Sequence, residues 1–181
     1  LTPSVVSIGK NQEVFVGSVA KEMLATQPYD TFREFKRNMG TNFLYGNGRK
    51  KYRAEELSAF VLRRLKEDAE KFLGEEVTEA VISVPAYFDD NKRNATKNAG
   101  RLAGLKVERL INEPSAVALK HHTAEKGAES FIVFDFGCGT LDVSLVEAFD
   151  NVVEIQAVAG DNYLGGKDFN EIIAQDFYEQ N

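Results

Sequence analysis

The stretch IVFDFGCGTLDVSLVE, Ile132 to Glu147, is the most informative part of this chain. Two apolar runs flank a turn that carries Gly137 and Gly139. Glycine in a turn lets backbone N–H groups approach an anion closely. Asp135 and Asp142 stand at the two ends, and an aspartate at the end of a buried strand can hold Mg²⁺ or its waters. The stretch therefore predicts a β-hairpin with a candidate phosphate and metal clamp at its turn.

Two interpretations of this hairpin remain open on these residues alone. Thr140 offers a hydroxyl that can also hold Mg²⁺ or its waters, which favours the clamp. An ordinary glycine-containing hairpin between core strands explains the pattern equally well. A P-loop is excluded, because no lysine follows the glycines and a strand, not a helix, follows the turn.

The composition is that of a globular protein. Of the 181 residues 43% are hydrophobic, which is enough for a sizeable core in one large domain or two small ones. The formal net charge of -6 argues against nucleic acid or an anionic membrane as the main partner. Cys138 is the only cysteine and cannot form an internal disulfide, so a reducing, cytoplasmic location fits best. Because the chain starts at Leu1 without a methionine and stops just after a helical pattern, we expect a fragment of a longer protein.

Hydrophobic periodicity, caps and turn residues predict the order of elements. Ser18 and Thr31 are expected to cap the first two helices, and Asp89 or Asp90 a later one. The apolar run over 80–86 shows no alternation, so we expect a strand buried on both faces. The polar stretch Thr123 to Ser130 is the expected domain boundary. The predicted elements are strands 4–8 and 13–17, helices 19–26, 32–40 and 55–73, strand 80–86, helix 91–103, strand 107–111, helix 114–122, strands 131–136, 141–147 and 152–159, and helix 168–180.

Three further features carry chemistry only in combination. Lys36 and Arg37 place two cations on one short predicted helix, and alone they read as a solvated face. Pro85 ends a strand, and Glu113 stands where another strand ends, as an ordinary capping acid could. Together and in this order, the segments resemble the nucleotide-binding domain of the seventy-kilodalton heat-shock chaperones, the DnaK family. The blocks that carry the resemblance are VPAYFDDNKR, AGLKVERLINEPSA, DFGCGTLDVS and AGDNYLGGKDF, and the resemblance covers almost the whole chain.

The resemblance implies an actin-like, ribonuclease-H-like α/β fold of two lobes with ATP in the cleft between them. We expect this fold to be incomplete, with lobe one lacking its first strands and only the start of lobe two present. Residues 1–53 would form a small subdomain of lobe one, 54–128 the remainder of its core, and 129–181 the first part of lobe two. The short loop after FKRNMG, followed closely by VLRRLKEDAEKFL, is most similar to the HscC branch.

The resemblance also implies roles for single residues in binding ATP or ADP with Mg²⁺. Lys36, near the γ-phosphate, would position the attacking water and offset developing charge. Asp135 would lie near Mg²⁺, and Glu113 would hold the ion through its water shell. The catalytic candidates are Lys36, Glu113, Asp135 and Thr140. The cofactor-binding candidates are Arg37 on the adenine side, Gly137, Cys138, Gly139 and Thr140 around the β- and γ-phosphates, and Gly165 and Gly166. The candidates for transmitting the nucleotide state are Pro85, Tyr87 and Arg93.

The sequence departs from the family pattern in two respects. The D-L-G-T-T hairpin expected before Leu1 and the adenosine motif expected beyond Asn181 are absent from it, so we expect the isolated chain to hydrolyse ATP far more slowly than its uncut parent. Cys138 replaces the middle glycine of D-L-G-G-G-T. If that position requires a positive φ, cysteine costs about 1–2 kcal/mol, and if φ is ordinary the thiol simply points aside.

For the uncut parent, the resemblance implies an ATPase-driven chaperone of the stress response. It would bind and release unfolded peptides through a domain missing from this chain, with a J-domain co-chaperone and a nucleotide exchange factor as partners, and without nucleic acid or membrane. Missing strands would leave unpaired edges and bare apolar faces, so we expect the isolated chain to form a dimer or larger species. Light scattering across a dilution series tests this, since a compact monomer would contradict it.

Two other classes of protein share parts of the pattern. The tripeptide over 135–137 reads as the D-F-G of protein kinases, and 19–21 echoes their lysine motif, but no H-R-D-x-x-x-x-N or G-x-G-x-x-G accompanies them. A non-enzymatic actin-like scaffold would share the fold, although it is not expected to carry VPAYF and LINEPSA together.

Overall fold

The computed structural model describes residues 1–46, 50–121, 127–149, 152–161 and 163–180. They form two compact units, the first from Leu1–Ile82 and Phe88–Leu110 and the second from Ser83–Tyr87 and Ile111–Asn181. The elements in chain order are β1 (Val5–Ile8), β2 (Val14–Val16), α1 (Ser18–Thr26), β3 (Thr31–Arg33), a 3₁₀ helix (Phe35–Asn38), α2 (Ala54–Leu73), β4 (Glu79–Val84), α3 (Asp90–Leu102), β5 (Lys106–Asn112), α4 (Glu113–His121), β6 (Glu129–Phe136), β7 (Leu141–Phe149), β8 (Val152–Asp161) and α5 (Gly166–Gln180).

The first unit is built on a three-stranded antiparallel sheet in the order β2-β1-β3. All four residues of β1 are buried, since the strand is paired on both edges and covered by α1 and α2. Leu57 is fully buried on α2, which also packs against α3. The predicted helix over 55–73 is confirmed, and Gly74 ends it with a left-handed φ of 75°.

The helix predicted after Thr31 is wrong. Thr31–Arg33 instead pairs with β1 as an edge strand, and only Phe35–Asn38 forms a single 3₁₀ turn. The Thr31 hydroxyl lies within hydrogen-bond distance of Ser7 Oγ (2.9 Å) and donates to the Gln27 carbonyl (2.8 Å), so it holds the strand and caps no helix. Pairing with a buried strand outweighs the weak local preference for helix.

Two other local predictions also need correction. Ser18 is the first residue of α1 and not its cap, which is Gly17 with a φ of 82° and no side-chain hydrogen bond. β4 is not buried on both faces, because Val81 is 58% exposed while Val84 is buried. Asp89 is confirmed as the cap of α3, since its carboxylate accepts from the Lys92 N–H at 2.9 Å.

The second unit contains a three-stranded antiparallel meander in the order β6-β7-β8, as the sequence predicts for three closing strands. One face packs on α4 through a core of Ala118, Val133 and Val146. The opposite face is apolar and open, with Ile132 and Phe134 both about two thirds exposed (67% and 66%). The predicted boundary over 123–130 lies partly outside the described residues, and the division at 53/54 and 128/129 stays a prediction.

None of the helices in the described part of the chain is long and apolar enough to cross a membrane. β4 and β5 pair with each other as a separate two-stranded sheet. These two strands contribute to the second unit only their last residues and the loop Pro85–Tyr87 that follows β4. This placement carries Tyr87 and Glu113 into the unit that holds the β6–β7 hairpin.

Candidate functional site

The β6–β7 hairpin places two carboxylates side by side at its turn. Asp135 and Asp142 are directly opposite each other in the antiparallel register, so both side chains leave the same face of the sheet. Asp142 is only 6% exposed, whereas Asp135 is exposed. The Gly137 N–H donates to the Thr140 carbonyl at 2.9 Å and closes the four-residue turn between the strands. The predicted hairpin is confirmed, with the glycines at its tip.

The side chain of Tyr87 joins the hairpin from a distant part of the sequence. Its hydroxyl is hydrogen-bonded to the Thr140 side chain. Burial, together with the negative charges of Asp142, Glu113 and Asp135, raises the pKa of Tyr87 to about 12, while the bond to Thr140 acts in the opposite direction. The structure thus gathers one phenol, one hydroxyl and three carboxylates around the turn.

The raised pKa of Tyr87 gives a direct test of this cluster. Its neutral form is favoured in the folded state, so the associated stabilisation is present below pH 10.0, the ordinary pKa, and is lost as the pH rises towards about 12. At about pH 11, where ordinary tyrosines are ionised, the ¹³Cζ resonance of Tyr87 is expected to be that of a neutral phenol. Asp142→Asn should lower the pKa, because it removes the largest charge that opposes ionisation. An ionised Tyr87 at that pH in the unsubstituted protein would contradict the arrangement.

Glu113, Pro85 and Cys138 are further predicted residues that lie in this unit. Glu113 is the first residue of α4, directly after β5, and Pro85 is buried just beyond β4. The thiol of Cys138 is exposed. Among the described residues other than glycine, positive φ angles occur only at Gln12 and Glu34, so Cys138 is not strained by lacking a glycine's freedom. The interpretation with an ordinary φ at position 138 is confirmed.

Gly165 and Gly166 lie at the start of α5, against the back of the turn. The Gly166 N–H donates to the Gly137 carbonyl at 3.1 Å, and the Lys167 N–H donates to the Cys138 carbonyl at 3.0 Å. The first N–H groups of a helix lack partners within the helix. Here the carbonyl groups of the turn supply two of those partners.

Lys36 and Arg37 lie in the other unit, on the 3₁₀ helix. Phe35 and Met39, both buried, anchor the turn from either side and leave the side chain of Lys36 exposed. Gly40 follows with a φ of 72°, and a Cβ there would lie 2.7 Å from the backbone of Asn91 at the start of α3. The turn that presents Lys36 is therefore fixed by close backbone contact with α3.

Arg93 also belongs to this unit and lies in the first turns of α3. Its Nε donates to the Phe88 carbonyl at 2.8 Å, which ties the helix to the segment that follows Tyr87. Lys36, Arg37 and Arg93 are thus placed in the first unit. Pro85, Tyr87, Glu113, Asp135, Gly137, Cys138, Gly139, Thr140, Gly165 and Gly166 are placed in the second.

The donor set suits Mg²⁺ held through water. Among the described residues, no group of three or more His, Cys, Asp or Glu side chains converges as a cage for a metal ion. Mg²⁺ keeps several waters and typically binds one or two carboxylates together with the phosphates of a substrate. Asp135 and Glu113 are carboxylates of that kind within one unit.

A glycine turn beside carboxylates is typical of proteins that bind nucleotides through phosphate and Mg²⁺. A family model described as Hsp70 protein matches this chain over residues 1–48 and 44–181, two overlapping segments that together span it. The chain belongs to the Hsp70 family, whose members are ATPase chaperones. Members have the actin-like ATPase fold, with which the mixed α/β structure is consistent.

The sequence identifies Asp142 as a carboxylate of the hairpin but does not predict that it is buried beside Tyr87. Strand alternation was the available signal, because Asp142, Ser144 and Val146 alternate as buried residues on β7. The structure argues against the kinase interpretation, because Val19–Lys21 lies within α1, whereas a kinase carries its lysine motif on a strand.

Proposed function

We propose that this chain is part of the ATPase domain of a DnaK-type chaperone of the HscC branch, which hydrolyses Mg-ATP to control the binding and release of unfolded peptides. Membership of the Hsp70 family supports the general activity. The observation that carries the proposal is the cluster around the glycine turn, where Tyr87 is hydrogen-bonded to Thr140 and lies within the electrostatic influence of three carboxylates.

The vacant side-chain position at Gly137 supports phosphate binding at the turn. Its φ lies outside the positive region, and a Cβ there would meet only the Thr140 carbonyl at 3.6 Å and the Thr140 hydroxyl at 3.9 Å, which are ordinary contacts. Neither the backbone conformation nor packing against the described residues therefore requires glycine. An anion that approaches the backbone closely does require it.

The carboxylates would hold the metal ion of the substrate complex. Asp135, exposed at the end of β6, and Glu113, at the start of α4, would bind Mg²⁺ through its water ligands. The ion, when bound, supplies charge neutralisation to the phosphate groups. The Thr140 hydroxyl, held by Tyr87, would orient a phosphate oxygen or a water beside it.

The remaining candidates complete the proposed cycle. Lys36 would act on the charge that develops at the γ-phosphate, and Arg37 would border the adenine. Pro85, Tyr87 and Arg93 would transmit the state of the nucleotide to a peptide-binding domain. The bond between Arg93 and the Phe88 carbonyl supports this, because it links α3 to the residue next to Tyr87.

The setting of the proposed activity is the cytoplasm, with unfolded peptides, a J-domain co-chaperone and a nucleotide exchange factor as partners. We propose that the chain is a portion of that protein and that in isolation it has little activity. Self-association of the isolated chain would use the open apolar face that carries Ile132 and Phe134.

Alkylation of Cys138 tests the proposal in the natural full-length protein. The thiol lies on the turn, so a bound triphosphate should shield it. With Mg-ATP at about 100 times its Kd, roughly 1% of the turns are unoccupied, and alkylation should slow accordingly. The measurement is the rate of iodoacetamide labelling by mass spectrometry, with ATP binding measured separately by calorimetry.

A matched control places the only thiol elsewhere in the same unit. The double variant Cys138→Ser with Ser130→Cys carries it at an exposed position far along β6 from the turn. Its labelling rate should not depend on Mg-ATP. No detectable binding of Mg-ATP would overturn the proposal, whereas binding without protection of Cys138 would place the phosphates away from this turn.

A further inference from the structure

Backbone hydrogen bonds join the turn to the start of α5 and fix the direction of two peptide groups of the turn. The carbonyl groups of Gly137 and Cys138 both accept from α5, from the N–H groups of Gly166 and Lys167. In a planar trans peptide the N–H points opposite to the carbonyl of the same unit. The N–H groups of Cys138 and Gly139 are therefore directed away from α5.

Gly165 is the residue that permits this contact. A Cβ at this position would overlap the carbonyl group of Cys138 and the nitrogen of Gly139, which are backbone atoms and cannot rotate aside. The φ of Gly165 lies outside the positive region, so the requirement for glycine here is one of space. By contrast, a Cβ at Gly166 would lie 4.0 Å from the Gly137 carbonyl, an ordinary contact.

Asp168 fixes Gly165 in place. The Gly165 N–H donates to Asp168 Oδ2 at 2.7 Å, and the Asp168 N–H donates back to the Gly165 carbonyl at 3.0 Å. This reciprocal pair closes the first turn of α5 in the manner of a capping box. Its acceptor is a carboxylate, which makes the bond from Gly165 one of the stronger kind.

We infer that Gly165 is a positioning residue: its missing side chain lets α5 hold the carbonyl groups of the turn, which aims the Cys138 amide at the phosphates of a nucleoside triphosphate. This assignment rests on the proposed function and deepens it. It differs from direct contact of Gly165 with phosphate, because the Gly165 N–H is bonded to Asp168. Asp168 is a second positioning residue, acting through Gly165.

The test compares Gly165→Ala with Gly9→Ala in the natural full-length protein, because a Cβ at Gly9 would meet only ordinary contacts of 3.7 Å or more. Gly165→Ala is expected to weaken Mg-ATP binding by about tenfold or more, because the charge-assisted bond to a misdirected amide is lost. It should also speed alkylation of Cys138 in the absence of nucleotide, since the carbonyl groups of the turn are no longer held. Gly9→Ala, the same change in the first unit, should leave both quantities near those of the unsubstituted protein.

Asp168 provides a second pair of variants in case Gly165→Ala does not fold. Asp168→Ala removes the acceptor and should shift both readouts in the same direction, while Asp168→Asn keeps an oxygen and should restore them in part. Equal losses in Gly165→Ala and Gly9→Ala, or no change in either readout, would overturn the inference. If the unsubstituted protein fails to bind Mg-ATP, the proposed function falls, but the Cys138 rates without nucleotide still test whether Gly165 positions the turn.

Discussion

Lys36→Ala in the natural full-length protein is expected to slow the chemical step of ATP hydrolysis by about a hundredfold to a thousandfold or more, while ATP still binds. A cation near the γ-phosphate acts on charge that grows in the transition state, so its loss lowers kcat more than affinity. Single-turnover hydrolysis and calorimetric binding of ATP measure the two quantities separately.

The surroundings of Lys36 indicate that this substitution leaves the fold intact. Lys36 is exposed, and the 3₁₀ turn that carries it is anchored by its buried neighbours Phe35 and Met39 and by Gly40 against α3. Removing the side chain should therefore leave the free energy of unfolding within about 0.5 kcal/mol of its original value. A change in stability much larger than this would mean that Lys36 has a structural role.

Arg37→Ala is the matched control, because it removes the adjacent cation from the same turn. If Arg37 borders the adenine, this variant should bind ATP more weakly and keep most of its single-turnover rate. A Lys36→Ala protein with reduced affinity and an unchanged rate would show that the lysine serves binding of the ground state instead.

Gly160→Ala is expected to destabilise the second unit by about 1–3 kcal/mol, the usual cost of forcing extra atoms into a packed region. Gly160 pairs with Asp142 across β7 and β8. A Cβ there would overlap the Leu141 carbonyl and lie 3.2 Å from Asp142 Cα. Strand β8 would have to move away from the strand that carries the buried carboxylate. Urea unfolding followed by circular dichroism measures the loss.

Gly137→Ala provides the opposite case at the same end of the sheet, on the turn between β6 and β7. Its Cβ would meet ordinary contacts only, so the free energy of unfolding should change little. Its affinity for Mg-ATP should nevertheless fall, because the methyl group would occupy space that the proposed phosphate needs. Equal free energies of unfolding for Gly160→Ala and Gly137→Ala would show that β7 and β8 can move apart at Gly160 without loss of stability.

The elements best predicted from the sequence are those whose signals are local. The helix α2 has a long amphipathic repeat and a terminal glycine, and the β6–β7 hairpin has two apolar runs around a glycine turn. Asp89 caps α3 as its position before the helix indicates. In each case the interactions that define the element lie within a few residues, so the sequence contains them directly.

The errors fall where pairing with distant residues decides the structure. Thr31–Arg33 has a pattern compatible with a helix, but β1 offers an unpaired edge that only the folded unit creates. The exposure of Val81 likewise depends on which elements cover β4, and strand patterning alone gives no information about that.

The candidate site shows the same division. Asp135, Gly137 and Thr140 could be predicted as candidates because they lie close together in one motif. The bond between Tyr87 and Thr140 joins residues far apart in sequence, and the carbonyl bonds from the turn to α5 involve backbone atoms that leave no trace in residue identity. Gly165 belongs to a sequence motif, but the reason that only glycine fits there is the close approach of the Cys138 and Gly139 backbone, which residue identity does not reveal.

The excursion of Ser83–Tyr87 into the second unit has a consequence for how such a protein can be rearranged over evolution. The chain passes between the units at three places, after Ile82, Tyr87 and Leu110. If residues 1–110 were exchanged as one piece, the whole first unit would be replaced. The residue at position 87 that bonds to Thr140 would be replaced with it. A recombination after Leu110 would therefore keep the second unit intact only if the incoming segment again supplied a hydrogen-bonding side chain for Thr140 at position 87.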